Sequence, residues 1–147
     1  VKRFTLLVLL LAFSFGISAC SQGESSASPT EARVVEDQAD LLAALRDAGA
    51  TVDVVDSVDQ IFFSPQGSII SVNGADVQVF ESESSEAMEA EAAQVAPDGG
   101  SIGTSMVTWV DVPHFYKTGR VIVLYVGSDA ATLGLLETVI GSQFAGR

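Results

Sequence analysis

The chain has 147 residues, 19 acidic against 7 basic side chains, a formal net charge of −12 and a mean hydropathy of +0.38. This excess of carboxylate excludes nucleic-acid binding and electrostatic docking onto anionic lipid, because both need Lys and Arg to meet phosphate. One cysteine and one histidine exclude a disulfide framework and leave too few ligands for a zinc site.

Lys2 and Arg3 give the chain a positive start. Phe4 to Ile17 is almost wholly apolar, and Ser18 and Ala19 are small. A basic start, an apolar run and a small-residue cleavage site describe an export signal. The run falls short of the roughly 20 apolar residues that a membrane span needs. Ile17-Ser18-Ala19-Cys20 resembles the lipobox of bacterial lipoproteins, which reads aliphatic, small, small, Cys. The resemblance implies cleavage after residue 19, a lipid-modified Cys20 thiol and an acylated amino terminus. Each buried methylene contributes about 0.8 kcal/mol, so two or more chains anchor stably where one does not. Ser21 rather than Asp after the cysteine points to the outer membrane in a double-membraned envelope, and otherwise to the outer face of the cell membrane. Ser21 to Thr30 (SQGESSASPT) has no apolar period and reads as a flexible tether. The expected plan is a signal over 1–19, a lipidated tether over 20–35 and one domain over 36–147.

The first expected helix is Gln38 to Ala48, with Leu41, Leu42, Leu45 and Ala48 on one face. Asp37 suits its cap, and Gly49 suits the left-handed position after its end. Thr51 to Val55 is an expected strand. Ile61-Phe62-Phe63, Ser68 to Val72 and Ala75 to Glu81 read as a three-stranded meander. Asn73-Gly74 is a strong hairpin signal, since both central residues of a type I′ turn need positive φ. That turn sets Val72 opposite Ala75 and Ile70 opposite Val77. Ile70, Val72, Ala75, Val77 and Val79 then share an apolar face, and Phe80 lies on the mixed one.

Ser85 to Val95 reads as a second helix with Met88, Ala92 and Val95 inward, stopped by Pro97-Asp98-Gly99-Gly100. Ser105 to Val110 and Arg120 to Val126 are further expected strands. The second is apolar almost throughout, the pattern of a central strand covered on both faces. The last helix is Asp129 to Ile140, capped by Ser128. The pattern predicts an α+β, two-layer domain: a mainly antiparallel sheet with about three helices packed on one face. A helix followed by a hairpin occurs twice, from Gln38 and from Ser85, a faint sign of duplication.

The candidate site residues fall in two groups. His114, in Pro113-His114-Phe115-Tyr116, is read as lying in a loop between strands, near Trp109 and Lys117. Its side chain suits acid–base work beside a carboxylate such as Asp111, or the packing of a sheet end. No serine lies in a G-x-S-x-G elbow. Gly99 to Thr104 lacks the lysine of a phosphate loop and reads as a flexible connection. Glu81, Glu83, Glu86, Glu89 and Glu91 read as a solvated helix face rather than a calcium loop. No metal or cofactor is expected. Phe80, Trp109 and Tyr116, with His114, are the candidate residues for binding a ligand or partner, since aromatics enrich both kinds of surface.

The stretch from Pro113-His114-Phe115-Tyr116 through Gly119-Arg120-Val121 to Gly127 is similar to uncharacterised small bacterial lipoproteins, a likeness that implies no particular activity. The expected function is a membrane-anchored, non-catalytic module that binds an envelope protein or small ligand outside the cytoplasm. The alternative is a small hydrolase-like enzyme using His114.

Overall fold

A computed structural model describes residues 34–147. The expected signal, Cys20 and the tether as far as Arg33 lie outside the described residues. No helix among the described residues is long and apolar enough to cross a membrane.

Helix α1 (Gln38–Asp47) begins where expected, with the Asp37 carboxylate accepting from the Asp40 N–H at 3.0 Å. At its end the Ala50 N–H donates to the Leu45 carbonyl and the Gly49 N–H to Arg46, with Gly49 at φ 93°. This paired arrangement needs a left-handed residue at Gly49 and satisfies two of the last carbonyls. The domain starts one residue earlier than expected. Val35, assigned to the tether, is buried in the core, and Thr118 Oγ1 donates to its carbonyl at 3.0 Å.

A six-stranded antiparallel sheet forms the middle of the domain. Its strands are β1 (Val52–Val58), β2 (Gly67–Val72), β3 (Ala75–Glu81), β6 (Pro113–Thr118), β7 (Val121–Val126) and β8 (Ala145–Gly146), in the order β1-β2-β3-β7-β6-β8. Strands β4 (Ser101–Ile102) and β5 (Ser105–Met106) form a separate short hairpin. The Asn73-Gly74 turn has φ 51° and 91°, and Val72 pairs with Ala75 and Ile70 with Val77, the expected register. The edge strand β1 is long, but it carries Asp53 and Asp56 and a register shift between Val54 and Asp56. Charge and a bulge are devices that blunt an exposed edge against further pairing.

Three sequence expectations change. Ile61-Phe62-Phe63 is not a strand; β1 takes its place beside β2. The expected strand Ser105–Val110 pairs only at Ser105 and Met106. The rest keeps a strand-like alternation of side chains, with Val107 and Trp109 inward and Met106, Thr108 and Val110 outward, but has no neighbouring strand. The segment around His114, read as a loop, is strand β6. Pro113 opens that strand, where a missing N–H is tolerated. The β6–β7 connection is the two-residue turn Gly119-Arg120, with Gly119 at φ 53° and Thr118 paired to Val121.

The α+β class holds: three helices accompany a mainly antiparallel sheet. The helices are shared between its faces rather than gathered on one. Helix α1 and helix α3 (Ala130–Ile140) cover one face, where Leu41, Leu45 and Leu136 pack with Ile70, Val72, Val77, Val79, Val121 and Val123. Helix α2 (Ser85–Ala92) and the irregular segments cover the other, where Met88 and Ala92 pack with Phe63, Phe80, Phe115, Ile122 and Leu124. A rotation exchanging β3 with β7 would keep each face on its own side, so α1 and α2 are not related by it and the duplication is not supported.

Helix α3 is capped by Asp129 rather than Ser128: the Thr132 N–H and hydroxyl both donate to Asp129 Oδ2 at 2.8 Å. The backbone N–H of Thr132, then its hydroxyl, hold this carboxyl below the usual carboxylate range. At the opposite end of the sheet Arg120 fastens three elements. Its guanidinium lies 2.7 Å from Glu81 and 3.3 Å from Asp37, and its N–H donates to the Glu36 carbonyl at 2.9 Å.

Two glycine substitutions should move stability in opposite directions. A Cβ at Gly119 would strike the Glu36 backbone and hold a side chain at positive φ, so Gly119→Ala should cost at least about 1–3 kcal/mol in urea unfolding. Gly134 lies in the interior of α3 with nothing near its would-be Cβ. Gly134→Ala should therefore stabilise by about 0.5–1 kcal/mol.

Candidate functional site

Strand alternation decides where each candidate residue points. His114 and Tyr116 project from β6 toward the face of α1 and α3; Phe115 projects to the other. His114 is buried, at 6% exposure, and its ring stacks on Tyr125 with centroids 6.1 Å apart. Its Nε2 lies 3.1 Å from the Gly127 carbonyl oxygen and its Nδ1 2.7 Å from the Gln143 side-chain amide. A carbonyl can only accept, so Nε2 carries a hydrogen. A glutamine amide can offer either an acceptor or a donor to Nδ1. The ring is therefore satisfied on both nitrogens without a carboxylate.

Asp111 lies elsewhere. Its Oδ1 accepts from the Val112 N–H at 2.8 Å, and it lines a groove that does not include His114. The structure thus does not bring together the pair on which the hydrolase-like alternative depends. Among the described residues no group of three or more His, Cys, Asp or Glu is arranged to hold a metal ion.

Phe80 and Tyr116 also differ from their expected role. Both are fully buried and present no surface to a partner. Phe80 packs under Phe63, with ring centroids 4.8 Å apart. Among the described residues the Tyr116 hydroxyl has no hydrogen-bond partner. Burial, and then the charge of Glu137, push its pKa above the ordinary tyrosine value.

Trp109 is the candidate that reaches the surface. It belongs to a series of rings running outward from the second core. Phe62 meets Phe63 edge-on at 5.1 Å and Trp109 at 6.1 Å, and Trp109 meets Phe115 at 5.8 Å. The indole N–H donates to the Gly99 carbonyl at 2.7 Å. The segment carrying Phe62 is tied down as well: Gln60 donates to the Gln78 side chain at 2.9 Å. These contacts fix two irregular segments side by side, and so fix what they carry on their outer surface.

Ile61, Met106 and Val110 are 93%, 92% and 99% exposed. The chain neighbours of Val110, Trp109 and Asp111, line an open groove of about 450 Å³ together with Val107, Pro113, Asp98 and Arg147 among others. A second groove, of about 260 Å³, includes Ile61 and Phe62 in its lining. Exposed apolar side chains scattered singly are ordinary; three on segments joined by the Phe62–Trp109 contact make this the candidate surface. Of the four residues expected to bind, only Trp109 lies here. Ile61, Met106, Val110, Asp98 and Arg147 were not picked out from the sequence. The signal available was the outward half of the Met106-Thr108-Val110 alternation, which has no sheet to face.

No protein family, curated protein or solved structure matches this chain.

His114 and Tyr116 should behave as core residues. His114→Ala leaves the Gly127 carbonyl unpartnered and should cost about 2–3 kcal/mol in denaturant unfolding. Tyr116→Phe removes an unsatisfied hydroxyl and should stabilise by about 1 kcal/mol. The raised Tyr116 pKa fixes the sign of a pH effect. Above about pH 10 the unfolded chain loses the phenolic proton that the folded one retains, so stability falls as pH rises. Tyr116→Phe should flatten this alkaline limb in thermal melts recorded from pH 9 to pH 11.

Proposed function

We propose that this protein is a lipid-anchored binding module of the cell envelope, held at a membrane through Cys20 and presenting its Trp109 face to an envelope protein. The likeness of Ile17-Ser18-Ala19-Cys20 to a lipobox supports the anchor. One observation carries the binding role: nearly full exposure of Ile61, Met106 and Val110 on segments braced by the Phe62–Trp109 contact. Leaving such side chains in water forfeits about 25 cal/mol for each Å² of apolar surface that a partner would cover. Binding surfaces are commonly carried on irregular segments held by a rigid scaffold, and this face has that construction. The acidity of the domain favours a protein partner over an anionic lipid headgroup.

The anchor has a direct test. In cells fed labelled palmitate, the wild-type chain should take up label and sediment with membranes. The Cys20→Ala form should take up none and lose its acyl anchorage. Equal labelling of both forms would overturn the role of Cys20.

A further inference from the structure

We infer that the Trp109 face is the docking surface for a basic, partly apolar protein segment, whose apolar side chains cover Ile61, Met106 and Val110 while a Lys or Arg enters the Trp109 groove against Asp98 and Asp111. This rests on the binding role proposed above and adds to it the surface used and the chemistry of the partner.

The charge distribution selects the partner. The described residues hold four basic side chains, and three of them are engaged by hydrogen bonds or close ion pairs within the domain. Arg46 donates to the Val52 carbonyl at 2.6 Å, Lys117 pairs with Glu89, and Arg120 pairs with Asp37 and Glu81. Arg147 stands 3.9 Å from Asp98. The remaining surface is dominated by carboxylate, so an approaching cation is attracted and an anion repelled.

The groove itself already receives a guanidinium. Arg147 lines it, facing Asp98 Oδ2, but the 3.9 Å separation is too long for a hydrogen bond and both side chains are well exposed, at 73% and 60%. Exposed ion pairs of this kind contribute little, so a partner's Lys or Arg can displace it. Each aspartate is held by one oxygen in a local turn: Asp98 Oδ1 accepts from the Gly100 N–H at 3.0 Å and Asp111 Oδ1 from Val112 at 2.8 Å. The carboxylates are thereby positioned before any partner arrives, with a second oxygen each to offer.

Other occupants fit less well. A second copy paired through this face would bring two sets of Asp98 and Asp111 into one interface, with Arg147 as the only cation in each groove. The segment from Ser21 to Arg33 is Ser-rich, with one basic residue and hardly any large apolar ones. An anionic membrane or a nucleic acid would meet carboxylate.

Trp109 is the only tryptophan in the chain, so its fluorescence reports on this groove alone. The test uses the full lipidated protein in neutral phosphatidylcholine vesicles, titrated with three tryptophan-free peptides of equal length. One alternates Leu with Lys, one Leu with Glu, and one Ser with Lys. The expected result is a saturable change of Trp109 emission with the Leu–Lys peptide alone. Asp98→Asn combined with Asp111→Asn keeps both turn acceptors and should weaken that binding at least about tenfold, as should Val110→Ser with Ile61→Ser. Unchanged melting temperatures would show that the variants are folded. Equal response to the Leu–Glu peptide, no response to any peptide, or indifference to both double variants would overturn the inference. Photocrosslinking in intact cells separates this failure from failure of the binding role. A probe at Val110 should capture an envelope protein and a probe at Val54, on the exposed edge strand, should not. Capture from Val54 alone would leave a binding module that docks through its edge strand; capture from neither, with no peptide response, would overturn both the surface and the binding role.

Discussion

The fold depends on one strand having no polar side. Val121 to Val126 runs Val-Ile-Val-Leu-Tyr-Val, and its first five residues are buried. Val121, Val123 and Tyr125 face one core, and Ile122 and Leu124 the other. A strand of this kind is unstable at an edge or against water, so β3 and β6 flank it and a layer of chain covers each face. The apolar side chains of a half-buried sheet need one covering layer; this strand needs two, and the rest of the domain supplies them.

The two layers are built differently, and this difference places the candidate surface. The first consists of α1 and α3, whose buried leucines meet a flat field of Val and Ile. The second has only the eight-residue α2, two buried residues of which reach the sheet. Irregular chain must close the remainder. Such chain has few backbone hydrogen bonds of its own to hold it, so large side chains take over the fastening: Phe63 on Phe80, Phe62 on Trp109, Trp109 on Phe115. Short apolar residues between these anchors cannot also turn inward. Met106 and Val110 are left outside by the same alternation that puts Val107 and Trp109 inside, and Ile61 by the turn that leads into Phe62 and Phe63.

Most of the fold was legible in the sequence where local chemistry and the tertiary environment agree. The Asn73-Gly74 turn determined the β2–β3 register because few residues accept positive φ. The Asp37 and Gly49 signals bounded α1, and the unbroken apolar run identified β7. Legibility failed where apolar content had two interpretations. Ile61-Phe62-Phe63 has the composition of a strand, yet its neighbour Pro65 and the lack of a partner leave it a packing loop. Pro113 disguised β6 as a loop, although Gly119-Arg120 behind it carried a turn signal as compact as Asn73-Gly74. The split of helices between faces was not legible from each helix's own pattern, since periodicity shows that a helix has an apolar stripe and not which side of a sheet receives it. Of the residues lining the candidate surface, the sequence had singled out Trp109 alone. His114 was chosen for its chemistry, but a lone histidine in a strand is governed by the neighbours that satisfy it, and Gln143 and Gly127 lie far from it in sequence.

Scarcity of positive charge links the scaffold to its surface. Arg120 joins the start of α1 to the end of β3 and to the β6–β7 turn, and Glu81 also accepts from the Gln38 N–H at 3.0 Å. Lys117 lies over the Phe144 ring, 5.3 Å from its centroid, while pairing with Glu89. These residues connect elements distant in the chain, and their charges are balanced by the carboxylates they meet. A domain with so few cations, most of them paired internally, shows its surroundings mainly carboxylates and whatever apolar surface it leaves uncovered. Carboxylates alone would favour solubility and little else. Apolar side chains alone would favour indiscriminate association. In the docking proposed above, the first would restrict which partners could use the second.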